Sequence, residues 1–69
     1  MPSYCGHALR QMSKRGISKR DVQFCLTHYY IHFIPKKGYE LYRTELPNGT
    51  QLQVILNRDK NQIVTAILL

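Results

Sequence analysis

The chain changes its hydrophobic period near the middle. Between His7 and Lys14, the apolar Ala8, Leu9 and Met12 fall on one side of a 3.6-residue helix, while Arg10, Gln11 and Lys14 point elsewhere. Gly16 predicts the end of that helix, because glycine takes the left-handed conformation a helix terminus favours, and Lys14 and Arg15 suit its negative end. Ser18 and Asp21 have the spacing of a capping box, and Ile17 and Val22 that of a hydrophobic staple. Val22, Cys25, Leu26 and Tyr29 then follow the i, i+3, i+4, i+7 spacing of a buried stripe.

From Tyr29 on, the period is two. Tyr30–Pro35 is rich in β-branched and aromatic residues, Lys36-Lys37-Gly38 reads as a turn, and Tyr39–Leu46 as the next strand. Pro47-Asn48-Gly49 is the strongest turn signal: proline presets one corner, asparagine tolerates the next, and glycine supplies a positive φ. A three-residue loop there pairs Leu46 with Thr50, Thr44 with Leu52, and Tyr42 with Val54. That register predicts a core face of Tyr42, Thr44, Leu46, Leu52, Val54 and Leu56. It leaves Leu41, Arg43, Glu45, Gln51, Gln53, Ile55 and Asn57 on a mostly polar open face. After a turn at Asp59–Asn61, Ile63–Leu69 is apolar on both faces, which suits a central strand or an edge buried against a partner.

The expected architecture is therefore α+β: two N-terminal helices packed on one face of a three- to four-stranded antiparallel sheet. The helical layer spans about 5–27 and the β-meander about 29–69 of one domain, 1–69; residues 2–5 are candidates for a short extra strand.

Charge sharpens this division. Residues 1–37 carry Arg10, Lys14, Arg15, Lys19, Arg20, Lys36 and Lys37 against one acid, Asp21, whereas residues 38–69 balance to zero, so the whole net charge of +6 lies in the front half. Lys19 and Arg20 even occupy the first turn of the second helix, where the helix dipole disfavours cations. A basic helical layer points to a polyanion, either nucleic acid or an acidic protein. No apolar run approaches the roughly 18 residues of a membrane span, and Met1-Pro2-Ser3-Tyr4 lacks the pattern of a signal peptide. The expected location is cytoplasmic, with Cys5 and Cys25 as free thiols.

The run His7-Ala8, Arg10-Gln11-Met12, Arg15-Gly16-Ile17-Ser18 and the later Ile63-Val64-Thr65 resembles a widespread uncharacterised bacterial and archaeal family, itself similar to the BrnT branch of the RelE/ParE toxin superfamily. Gln11-Met12 stands where Arg-Met is commoner in that family. The resemblance implies a two-helix layer on a curled antiparallel sheet. It implies RNA binding on the open sheet face, with cleavage by basic residues, or action on a protein target. It also implies an antitoxin peptide laid over the sheet or helices. No catalytic residue is carried over by motif.

The residues themselves supply the candidates. Arg43, mid-strand on the expected open face, can clamp a phosphate; with Lys36, Lys37, Tyr39 and Arg58 near it, it can stabilise the charge that develops when a ribose 2′-hydroxyl attacks phosphorus without a metal. The plainer reading is a solvated arginine paired with Glu45 or a glutamine. His7 is a candidate general base, and Tyr39 a second acid–base candidate, against a helix-capping or packing role for His7. Arg10, Lys14, Arg15, Lys19, Arg20, Lys36 and Lys37 are the candidate nucleic-acid contacts. Tyr29, Tyr30, Phe33, Tyr39 and Tyr42 can stack on bases, although their alternation suits core filling. Cys5, His7, Cys25, His28 and His32 are zinc-ligand types without a matched pair of pairs, so no metal or other cofactor is expected. The partners expected are RNA or the ribosome and an antitoxin-like acidic protein, with homodimerisation through Ile63–Leu69 as a further option and no membrane.

Overall fold

The computed structural model describes residues 2–69 and contains seven elements. They are β1 (Ser3–Tyr4), α1 (Gly6–Arg15), α2 (Lys19–His28), β2 (Ile31–Phe33), β3 (Tyr39–Glu45), β4 (Gln51–Asn57) and β5 (Gln62–Leu68). The strands form one sheet in the order β1-β5-β4-β3-β2. Both helices lie on one face of it, α1 over β5 and α2 across β3 and β4. The fold is α+β with helices on a sheet, as the hydrophobic pattern predicts. The sheet, however, has five strands and is mixed, because β1 runs parallel to β5 while the other pairs are antiparallel.

Local chemistry explains the helix ends. The Cys5 thiol accepts the Ala8 backbone N–H at 3.3 Å and caps α1. Gly16, at φ 69°, closes α1 in the left-handed region, and Ile17 N–H returns to the Met12 carbonyl at 2.9 Å. The Ser18 hydroxyl accepts Asp21 N–H, and the Asp21 carboxylate accepts Ser18 N–H, both at 3.1 Å, forming the capping box. Helix α2 stops at His28, and Tyr29 is extended (φ −64°, ψ 149°). Tyr29 therefore leaves the stripe of Val22 and Cys25 that its spacing predicts, and it is 44% exposed.

The β3–β4 hairpin has the expected register, with Tyr42 opposite Val54 and Thr44 opposite Leu52. Leu46 N–H donates to the Thr50 carbonyl at 2.8 Å across the three-residue loop, and Gly49 supplies its φ of 87°. This places Thr44, Leu46, Leu52, Val54 and Leu56 under the helices with Ala8, Met12, Ile17, Val22, Cys25, Ile63 and Ala66. Thr44, the one buried polar residue among these, donates to the His28 carbonyl at 3.0 Å and so satisfies the last turn of α2.

β5 is central where β1 covers it: Cys5 N–H donates to the Ile63 carbonyl at 3.1 Å. Beyond that point the outer edge of β5 meets side chains instead. The Cys5 thiol reaches the Val64 carbonyl (3.7 Å), and the Arg15 guanidinium donates to the Ala66 carbonyl at 2.9 Å. A bulge between β4 and β5 near Ile55 and Leu56 shifts the register, so Leu56 faces Ile63 while Ile55 faces Thr65.

The open face is less polar than the sequence pattern predicts. Leu41 is buried there, and Ile31, Ile55 and Ile67 are half-buried beside it. The cause is cross-strand: Phe33 lies opposite Leu41, and Ile67 opposite Gln53, so apolar positions from β2, β4 and β5 converge.

A core this small makes each buried side chain count. Leu52, fully buried, should cost about 2–5 kcal/mol when truncated to alanine, against less than about 1 kcal/mol for Leu68→Ala at the half-open end of β5. Chemical unfolding of the two variants checks this; equal losses would mean that the helices do not pack on the β4 centre.

Candidate nucleic-acid interface

The parity of β3 divides its chemistry between two surfaces. Odd positions Tyr39, Leu41 and Arg43 share the open face, while even positions Glu40, Tyr42 and Thr44 share the helix side.

On the open face, Arg43 donates through Nη2 to Gln53 Oε1 at 2.6 Å, across the β3–β4 pair, and its Nε is buried without a partner. Of the two plain pairings open to Arg43 in sequence, the glutamine is the one formed. Tyr39 lies four residues earlier, about 13 Å along the strand. The Lys36 ammonium stands 4.7 Å from the centre of the Tyr39 ring, within cation–π range. Tyr39, Ile55, Val64 and Thr65 floor a shallow hollow of about 390 Å³ that Pro35 and Lys36 wall on one side. Phe33, half exposed, flanks Leu41 on the same face.

A second group of polar side chains lies around the sheet end, on the helix side of β2 and β3. Glu40 is its centre. One carboxylate oxygen accepts from His32 Nε2 at 2.7 Å and from the Tyr42 hydroxyl at 3.1 Å; the other lies 3.6 Å from Arg58 Nε. The His32 ring stacks on Tyr42 (centroids 4.5 Å apart, planes within 17°), and the Tyr29 ring abuts both. Burial opposes the charge on Glu40, but hydrogen bonds from His32 and Tyr42 and the positive Arg58 outweigh it, so its carboxyl titrates below the usual value. Burial, reinforced by the negative Glu40, pushes the Tyr42 hydroxyl up to about 12. Arg58 also lines a shallow cleft with Lys37, Gly38 and Asp59.

The four residues singled out for catalysis therefore do not converge on one place. Arg43 and Tyr39 share the open face, Arg58 turns round the sheet end to Glu40, and His7 sits in the exposed first turn of α1, which packs on β5. Of the basic positions, Arg10 and Lys14 are exposed on α1, and Lys19 stands over the Tyr4 ring at 5.2 Å. Arg20 is exposed near the start of α2, and Arg15 serves the β5 edge. Lys36 and Lys37 join the open face to the sheet end. Among the described residues, Arg58 alone of the lysines and arginines makes an ion pair with a carboxylate. Tyr42, read in sequence as a core residue, is half-buried and bonded to Glu40. Cys25 is buried, its thiol pushed up to about 11 by that burial, and both cysteines are free. No group of three or more metal-ligating side chains occurs among the described residues, and no helix is long and apolar enough to cross a membrane.

His32, Glu40 and Tyr42 went unnoticed as a group in sequence. The available signal was parity: the hairpin register puts Glu40 on the same face as Tyr42 and Thr44, and an acid on a core face requires partners. No family model, curated protein or solved structure matches the chain.

The burial of the Tyr42 hydroxyl, reinforced by its bond to Glu40, makes an alkaline prediction. A hydroxyl whose folded pKa is about 12, against an ordinary value of 10.0, stabilises the fold fully below pH 10 and loses that contribution as pH rises toward 12. Stability of the wild type should therefore fall between pH 10 and 12 more steeply than that of Tyr42→Phe. Parallel alkaline unfolding curves would show that burial and Glu40 together do not raise the Tyr42 hydroxyl.

Proposed function

We propose that this chain is an RNA-binding module of the RelE/ParE-like toxin type, and that its RNA surface is the open face of the sheet. The observation that carries this reading is the hollow beside Tyr39, walled by Lys36, on the face that also bears Phe33 and Arg43. Single-stranded RNA is held by such combinations: unstacked bases lie on aromatic rings, and cations take the phosphates. The net charge of +6 adds a salt-dependent attraction, and its cations are largely uncommitted to acids within the chain. The resemblance of residues 7–22 to an uncharacterised family, itself similar to the BrnT branch of that superfamily, supports the same direction.

This arrangement supports binding more directly than cleavage by Arg43 with His7, which sit on opposite faces of the sheet. A second reading rests on the exposed cations of the helices, Arg10, Lys14, Lys19 and Arg20, as a contact surface for nucleic acid or an acidic protein.

Fluorescence anisotropy with a labelled single-stranded RNA separates the two. On the first reading, Phe33→Ala and Tyr39→Ala each weaken binding about 5- to 150-fold, equivalent to about 1–3 kcal/mol per stacked base. Arg43→Ala weakens it and flattens its salt dependence. If these variants bind as the wild type does while Lys19→Glu with Arg20→Glu abolishes binding, the helical surface is the site and the open-face reading fails.

A further inference from the structure

β2 forms one edge of the sheet, and its backbone there is bare. At the other end of the sheet, β1 covers the start of β5, and the Cys5 thiol and the Arg15 guanidinium meet the Val64 and Ala66 carbonyls. The hairpin closure fixes which way the β2 backbone points. Leu46 N–H bonds the Thr50 carbonyl, so the even positions of β3 pair with β4, and the odd Leu41 and Arg43 turn their backbone toward Phe33 and Ile31. His32, between those two, therefore directs its N–H and carbonyl away from the sheet. Edge strands that stay single carry guards such as a lysine or an inward-pointing charge. No lysine, arginine, aspartate or glutamate occurs from Val22 to Pro35, in a chain of net charge +6. Tyr30, Phe33 and Ile34 are instead half or more exposed.

We propose that β2 pairs antiparallel with β2 of a second copy of this chain, about a two-fold axis at His32, joining two five-stranded sheets into one. The strand is self-complementary in this register. The two His32 backbones exchange N–H···O bonds in both directions, while each His32 ring keeps its own Glu40 and Tyr42 partners. Ile31 faces Phe33 of the second copy on the open side, and Tyr30 faces Ile34, each pair occurring twice by symmetry. Aromatic residues opposite β-branched ones are favourable cross-strand pairs. A charged peptide would find no opposite charge along this edge, so the pattern favours a second copy. The edge differs from the Ile63–Leu69 strand that the sequence offers for homodimerisation, since β5 lies between β1 and β4. The strand is short, which places the contact among weak interfaces of under about 1,200 Å² that associate at micromolar concentrations. The like net charges of the two copies oppose the contact, so added salt strengthens it, the reverse of its effect on a polyanion contact. The pairing does not depend on whether the open face binds RNA.

Sedimentation equilibrium of the full chain from about 1 to 500 µM, at low and moderate salt, tests this. The expected result is a mass that rises from one chain to two, with a midpoint at lower concentration in the higher salt. Ile34→Lys replaces an exposed side chain and touches no core residue. It places a charge where the pairing would bury it, and should raise the midpoint about tenfold or more. Leu68→Lys, at the end of β5, should leave the midpoint unchanged. Hydrogen exchange supplies a reading at the strand itself: the His32 amide should slow as concentration rises, whereas the Ile31 amide, already paired with β3, should not. Circular dichroism shows that Ile34→Lys keeps the fold. A chain that stays monomeric across the range, a dimer that Ile34→Lys leaves intact, or a His32 amide whose exchange ignores concentration overturns the proposal. A dimer that Leu68→Lys dissociates instead would place the contact on β5.

Discussion

The register of the β3–β4 hairpin is the constraint on which the remaining structure depends. Gly49 and the three-residue loop set it, and Leu46 N–H to the Thr50 carbonyl closes it at 2.8 Å. Because side chains alternate along a strand, a slip of one residue would exchange the two faces of the sheet. Leu52 and Val54 would turn to solvent, and Arg43 would turn under α2. The same alternation places Glu40 with Tyr42 on the helix side and Tyr39 with Arg43 on the open side. Core and candidate sites are thus consequences of a single pairing.

The helices complete the core and also guard the sheet edge. α1 covers β5 with Ala8 and Met12, while Arg15 from its last turn donates to the Ala66 carbonyl. A cation that the sequence offers equally as a phosphate contact is here a hydrogen-bond donor that blunts an exposed strand. On the other edge, β2 has only three residues and carries the half-exposed Phe33, with Tyr29 and Tyr30 exposed just before it. The Tyr30 hydroxyl donates to Gln51, which helps hold this short edge to the sheet. The two edges are therefore unlike: one is capped by polar side chains, the other is dressed with aromatic rings.

Features fixed by local chemistry were legible in sequence. The capping box of Ser18 and Asp21, the left-handed Gly16 and the Pro47-Asn48-Gly49 loop each depend on a few adjacent residues, and all three are present. Features set by distant packing were not. The parallel pairing of Ser3 and Tyr4 with Gln62 and Ile63 involves two residues from opposite chain ends, too short for any periodicity. Tyr29 fits the helical stripe by spacing, but the helix ends one residue before it. The Glu40 cluster required the β2–β3 register, which the irregular stretch from Ile34 to Gly38 conceals, because no tight turn there fixes which residue of β2 faces Tyr42. Arg43 was placed correctly by parity, yet its surroundings were not foreseen, since its apolar neighbours come from three strands.

Those surroundings decide what Arg43 can do. A guanidinium on a wet polar face is screened by water and gains little from a phosphate. Arg43 instead lies opposite Ile31 on one side and Gln53 on the other, with buried Leu41 two residues before it. Its Nε is already out of contact with solvent, and Gln53, a neutral partner, occupies only Nη2. The side chain has therefore given up part of its hydration without receiving a counter-charge. In such a setting an incoming anion competes with a glutamine rather than with bulk water or a carboxylate, and the lower local dielectric strengthens the contact it makes. Lysine at this position would keep the charge but lose the planar fork that hydrogen-bonds Gln53 while leaving other donors for a phosphate. On the proposed reading, the apolar content of the open face, unexpected from the hydrophobic pattern, would thus give its central arginine an advantage in holding an anion over the more numerous cations exposed on the helices.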